Sequence, residues 1–182
     1  MKRALLLTGL LLLALAACSG HTVHRLEVDL LSFLPQDSRQ GTLDLTQTEI
    51  QVPGDPAGQR VDLPGAEALV DGSVKAQAEL ENTGAIPATL RLEVRLGPKD
   101  DTNLYDGNGD VQAGTKEIRL DPGQKGLLSL ELLLKEGNPA YDLVKAGSFR
   151  IGAKLSLSGE KVSYKLTQAE VVLRLKLFNL IP

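Results

Sequence analysis

Cys18 is the only cysteine of this 182-residue chain, and His21 and His24 are its only histidines. A single thiol builds neither a disulfide nor a thiolate metal site. The two imidazoles would have to assemble a Ser-His-Asp arrangement or a metal site beside Cys18, on a stretch that reads more simply as a solvated linker. Carboxylates remain. In Asp100-Asp101-Thr102-Asn103-Leu104-Tyr105-Asp106-Gly107-Asn108-Gly109-Asp110, the donors Asp106, Asn108 and Asp110, with Glu117 eleven residues after Asp106, follow positions 1, 3, 5 and 12 of a calcium loop. Position 6, where glycine permits the sharp turn, is Val111, and no helical pattern flanks the segment. A hairpin loop competes, with Asp106-Gly107 and Asn108-Gly109 supplying positive φ angles. Glu79 and Glu81 fall on the polar face of a strand, where carboxylates are ordinarily solvated. No reaction class follows from these groups, so the expectation is a protein that is not an enzyme and needs no cofactor.

The elements that position Cys18 are at the N-terminus. Met1-Lys2-Arg3 is charged, and Ala4 to Ala17 is an apolar run of 14 residues that includes Thr8 and Gly9. That is short of the roughly 20 residues a spanning helix needs, and the small Ala16-Ala17 suits a peptidase, so residues 1–17 read as a removed signal peptide. The segment resembles the precursors of bacterial lipoproteins. The resemblance implies a diacylglyceryl group on the Cys18 sulfur, cleavage before Cys18, and usually a third acyl chain on its amine. Residues 18–25 then form a lipidated tether and 26–182 a single exported domain, with the membrane as first partner; two or three acyl chains hold such a domain firmly. Ser19 resembles outer-membrane sorting in enteric bacteria. The expected place is the cell envelope: the periplasmic face of the outer membrane where there are two membranes, otherwise the outer face of the cell membrane.

Composition narrows the partners. Without Lys2 and Arg3, 18 basic residues face 23 acidic ones, and the formal net charge moves from −3 to −5. Such a surface repels nucleic acid. Three Phe, three Tyr and no Trp leave few flat faces for gripping sugars, so carbohydrate is disfavoured.

Period-two alternation dominates after residue 22. Val74, Ala76, Ala78 and Leu80 share one parity against Lys75, Gln77 and Glu79, and after Asn82-Thr83-Gly84 it resumes with Leu90, Leu92, Val94 and Leu96. These two predict adjacent antiparallel strands. Leu128 to Leu134 and Phe149 to Leu157 repeat the pattern, with weaker strands at Leu26–Leu30, at Leu43 to Val52 and at Ile118–Leu120. The last strand changes phase between Leu166 and Val171, which requires a bulge near Thr167 to Glu170. Asn138, Pro139 and Gly147 frame one short helix, Pro139 to Ala146. The Gly- and Pro-rich connection Pro53 to Gly72 carries Val61, Leu63 and Ala66 to Val70, and is expected to pack on the domain, covering part of the apolar C-terminal run of Val172, Phe178, Leu180 and Ile181.

The sum is an all-β, antiparallel, immunoglobulin-like β-sandwich of about eight or nine strands with one short connecting helix. The order Val74 to Asn82, Ile86-Pro87, Leu90 to Leu96, Ile118 to Gly123, Leu128 to Leu134, a helix, then Phe149 to Gly159 is similar to LEA14/WHy domains over residues 73–178. Here Asn82-Thr83-Gly84 stands where Asn-Pro is usual, and an acidic insertion follows Leu96. Other bacterial immunoglobulin-like modules share the Asn-x-Gly turn. Neither resemblance implies an enzyme. The first expectation is a membrane-anchored structural or protein-interaction module with an envelope partner; the alternatives are a carrier of lipid or another hydrophobic ligand, and a WHy-like stress-protective domain. A leucine-rich core poor in aromatics predicts tight packing more than a cavity.

Overall fold

Strands with one apolar face leave water only by closing on a second such layer. The computed structural model describes residues 23–45 and 49–176. Cys18, His21, the segment 1–17 and the C-terminal Phe178, Leu180 and Ile181 lie outside them. Among the described residues there are ten strands: β1 Val23–Asp29, β2 Gln40–Asp44, β3 Glu49–Val52, β4 Gln59–Asp62, β5 Leu69–Asn82, β6 Ala88–Pro98, β7 Val111–Leu120, β8 Lys125–Leu134, β9 Ser148–Ser158 and β10 Lys161–Lys176. One sheet runs β1-β10-β5-β8, with β2 also on β10; the other runs β3-β9-β6-β7, with β4 also on β9. All pairings are antiparallel. The described residues form an all-β sandwich with one α-helix, α1 Pro139–Lys145, capped by Asn138 Oδ1 accepting from Ala140 N at 3.0 Å.

The pairing corrects two expectations. β5 and β6 are not neighbours: β5 pairs with β10 and β8, β6 with β7 and β9. The Asn82–Pro87 connection crosses between sheets, and Asn82 makes the corner. Its side chain is fully buried. Nδ2 donates to Ile86 O at 2.8 Å and Leu120 O at 3.0 Å, and Oδ1 accepts from Gly84 N at 3.0 Å. An amide with donors and acceptor all engaged fixes a crossover that a two-residue hairpin turn would not make. Likewise Leu43 to Val52 is two strands in different sheets, β2 on β10 and β3 on β9. That split and β4 inside the Pro53–Gly72 connection bring the count above nine, and β7 extends back to Val111. The register shift between Leu166 and Gln168 is the bulge that the phase change requires.

At one side of the sandwich β7 lies against β8, so closely that a Cβ on Gly114 would overlap Leu132. The opposite side is open, edged by β1 and β2 in one sheet and by β3 and β4 in the other. Two packed clusters occupy the ends of the strands. One holds Leu80, Leu90, Leu120, Leu157 and Val162; the other holds Leu69, Leu96, Tyr141, Phe149 and Leu173, with Val61 and Leu63 of the Pro53–Gly72 connection, and Val171 and Leu175 of β10, packed against it.

Candidate functional site

The two end clusters do not meet. Register sets Ala169 of β10, Ala76 of β5 and Leu130 of β8 in one row across the first sheet, and Val52, Ala153, Val94 and Gly114 of β3, β9, β6 and β7 in a row across the second. Small side chains at this level leave the sheets unfilled between them. An apolar cavity of about 360 Å³ is lined by Leu43, Ala76, Leu92, Leu130, Leu155, Leu166 and Ala169 among others. A second, of about 430 Å³, is lined by Val52, Val74, Ala76, Leu92, Val94, Leu130 and Ala153 among others. Ala76, Leu92 and Leu130 belong to both, so the two form neighbouring halves of one inter-sheet cleft. The expectation of a tightly filled core fails here, because alanine stands where leucine would close the gap. Each cavity falls within the size range of small-molecule pockets.

The cleft coincides with breaks in both open edges. β2 pairs with β10 up to Lys165 and β1 resumes at Glu170, so residues 166–169 of β10 have no strand partner on that side. On the other sheet Val52 pairs with Ala153 and Gln59 with Ile151, while residues 53–58 loop away opposite Gly152. Val52, facing the cleft from this edge, is 62% exposed.

The acidic insertion holds that loop outward. Leu104 is fully buried, packed where added Cβ atoms on Gly58, Gly97 and Gly152 would strike it, and Leu104 N donates to Pro56 O at 2.9 Å. Arg150 donates from Nε to Lys99 O at 2.9 Å and from Nη1 to Gly58 O at 3.2 Å, tying both loops to β9. The segment singled out for its carboxylates thus works structurally.

Its donors are not brought together. Asp106 Oδ1 accepts from Asn108 N at 2.8 Å, and Asp110 Oδ2 accepts from Gly107 N at 2.8 Å; Gly107 and Gly109 have φ of 80° and 87°. The covered Asp110 carboxylate has Arg95 Nη2 2.9 Å from Oδ1, yet Oδ1 and Arg95 Nε make no hydrogen bond, so charge alone holds that contact. Glu117 pairs opposite Arg91 on β7, six residues beyond Val111 and therefore roughly 20 Å along the strand. Among the described residues no three His, Cys, Asp or Glu side chains converge as a metal ion requires. Glu81 lies 3.4 Å from Lys125 at the surface, and His24 sits on β1 opposite Leu175.

Tyr105, in the same insertion, has Lys154 Nζ 4.9 Å from its ring centroid. Burial raises its phenol above the ordinary tyrosine value and the Glu93 charge adds to this, with Arg95 opposing. A raised value means the stabilisation is present below the unfolded tyrosine range near ~10 and is lost as pH rises through the folded value. Alkaline titration followed by tyrosine ultraviolet absorbance is expected to show a late component, and Tyr105→Phe is expected to remove it.

Among the described residues no helix is long and apolar enough to cross a membrane. No family profile and no curated protein matches the chain. Solved structures similar to it include that of infectious bursal disease virus Gx strain, at 10% identity and a TM-score of 0.46 over 87% of this chain and 34% of that one. Another is the CocE/NonD family hydrolase SACOL2612 from Staphylococcus aureus, at 8% identity and a TM-score of 0.32 over 85% of this chain and 33% of that one. The chain spans about a third of the length of either, and likenesses this low bring no function with them.

Proposed function

We propose that this chain is a lipid-anchored protein of a bacterial cell envelope whose sandwich takes up an acyl chain, or a ligand of similar apolar shape, between its sheets. The anchor rests on Met1-Lys2-Arg3, the apolar run and Cys18. Uptake rests on one observation: an almost wholly apolar cleft between the sheets, reached through breaks in both open edges. Binding by exclusion from water needs no reactive group, and the role is non-enzymatic. A protein-interaction module working through a free edge has less in its favour. The edges on the open side are strands of only four to seven residues, β1 carries an Arg25–Glu27 ion pair at 2.9 Å, and the ten-residue edge strands β7 and β8 lie against each other, features that blunt strand addition.

Photolabelling tests uptake on the full chain in membranes. A diazirine-bearing palmitate is expected to crosslink to peptides containing residues 74–80, 90–94, 151–155 and 166–171, and excess oleate to suppress this. Labelling confined to residues outside the cleft, or insensitive to oleate, would overturn the reading.

A further inference from the structure

We infer that the turn after β1, residues Leu30–Leu34, is a lip that enters the surface of a phospholipid bilayer and sets the broken edge of the sandwich against it, an inference that builds on acyl-chain uptake. Phe33 is 75% exposed, and Leu30 and Leu34 are 39% and 38% exposed. So much apolar surface on five consecutive residues marks a contact with something apolar.

Its place in the fold says what. Leu31 of this turn lines one surface depression with Thr167, Gln168, Ala169 and Glu170 at the break between β1 and β2, and Gln168 and Ala169 also line the first cavity. An acyl chain leaving a bilayer at this point would reach the cleft past Leu31 and Ala169, with the carboxylates of Glu27, Asp29 and Glu170 lining the rest of the passage.

The backbone of the turn is prepared for a medium poor in water. Leu31 N donates to Asp29 Oδ1 at 2.9 Å, Leu34 N to Leu31 O at 3.1 Å, and Ser32 Oγ to Asp29 O at 2.6 Å. Leu34 O accepts from both Nε and Nη2 of Arg39, at 3.1 and 2.9 Å. Groups already paired within the protein cost little when they leave water, whereas unpaired ones cost several kcal/mol each. Arg39 also stations a guanidinium at the base of the lip, complementary to a lipid phosphate.

The chain that precedes β1 fits the same orientation. Val23 follows Cys18 by five residues, a reach of at most ~18 Å, so a lipid on Cys18 keeps the start of β1 near the bilayer. The net acidity of the domain selects a zwitterionic surface over an anionic one.

The test uses the full chain anchored in phosphatidylcholine vesicles and carrying an environment-sensitive fluorophore on Phe33→Cys, compared with Leu127→Cys on β8 at the far side. The wild-type chain, whose one cysteine sulfur carries the lipid, reports the background. At position 33 a blue-shifted emission and at least twofold quenching by doxyl-labelled lipid are expected, and neither at position 127. Equal behaviour at the two positions overturns the lip, as does shielding of position 33 from aqueous iodide without lipid quenching, which would assign the turn to a protein partner. Phe33→Asp is expected to slow palmitate transfer from vesicles to the cleft several-fold while leaving labelling by palmitate delivered from water unchanged. Lipid quenching at position 33 without cleft labelling would leave the lip standing and remove uptake; cleft labelling without quenching would do the reverse.

Discussion

Asn82→Ala is expected to lower the stability of the domain by about 2–4 kcal/mol. Removing the amide strands the carbonyls of Ile86 and Leu120 at a corner where Asn82 itself is fully buried, while the Gly84 N–H keeps its second acceptor, Lys161 O, at 3.1 Å. An unsatisfied buried group costs about 1–3 kcal/mol, and some relaxation is allowed for in the total. For a domain of this size the midpoint of thermal unfolding should fall by roughly 10 °C. Asn82→Asp is the sharper control, because a carboxylate keeps the shape and the acceptor for Gly84 but has no donor for the two carbonyls. Urea unfolding of the three proteins decides the matter: a loss below about 1 kcal/mol, the ordinary effect of a point substitution, would show that the crossover does not depend on this side chain.

Ala76→Phe is expected to weaken uptake of an acyl chain roughly fiftyfold while leaving the fold intact. Ala76 lines both halves of the cleft, and its Cβ points into space that no other side chain fills, so a ring there takes the volume the ligand would use. Displacing about three methylenes at about 0.8 kcal/mol each amounts to about 2.4 kcal/mol, roughly fiftyfold in affinity. Palmitate photolabelling should drop accordingly. The thermal midpoint should hold or rise, since new contacts replace empty volume. Undiminished labelling with an unchanged midpoint would mean that the ligand does not lie between the sheets.

Legibility differed sharply between these two residues. Asn82 was visible as a turn former, because Asn followed closely by Gly punctuates any chain. What it turns into was not visible, since the alternations before and after it fit a hairpin and a crossover equally well. Ala76 was visible as an inward position on an alternating strand. Its meaning as a gap was hidden, because alanine among leucines of like parity still reads as core. The exposed Phe33 carried no local signal: it follows a strand whose alternation ends near Leu30, and only the break over residues 166–169 of β10 gives it a neighbour.

Much of the local structure needed no tertiary information. Period-two alternation follows from side chains pointing to opposite faces in turn, so strand identity, the buried parity of β5, β6, β8 and β9, the bulge after Leu166, and the caps of α1 were legible residue by residue. Which strand lies beside which was not, because a period-two face carries no address. The packing of one sheet on the other, added to pairing register, brings Ala76, Ala153 and Ala169, alanines from three separate strands, to one cleft of the sandwich. It also aligns the breaks in both open edges with that cleft. A cleft is missing volume summed over distant positions, and only the packed chain performs that sum.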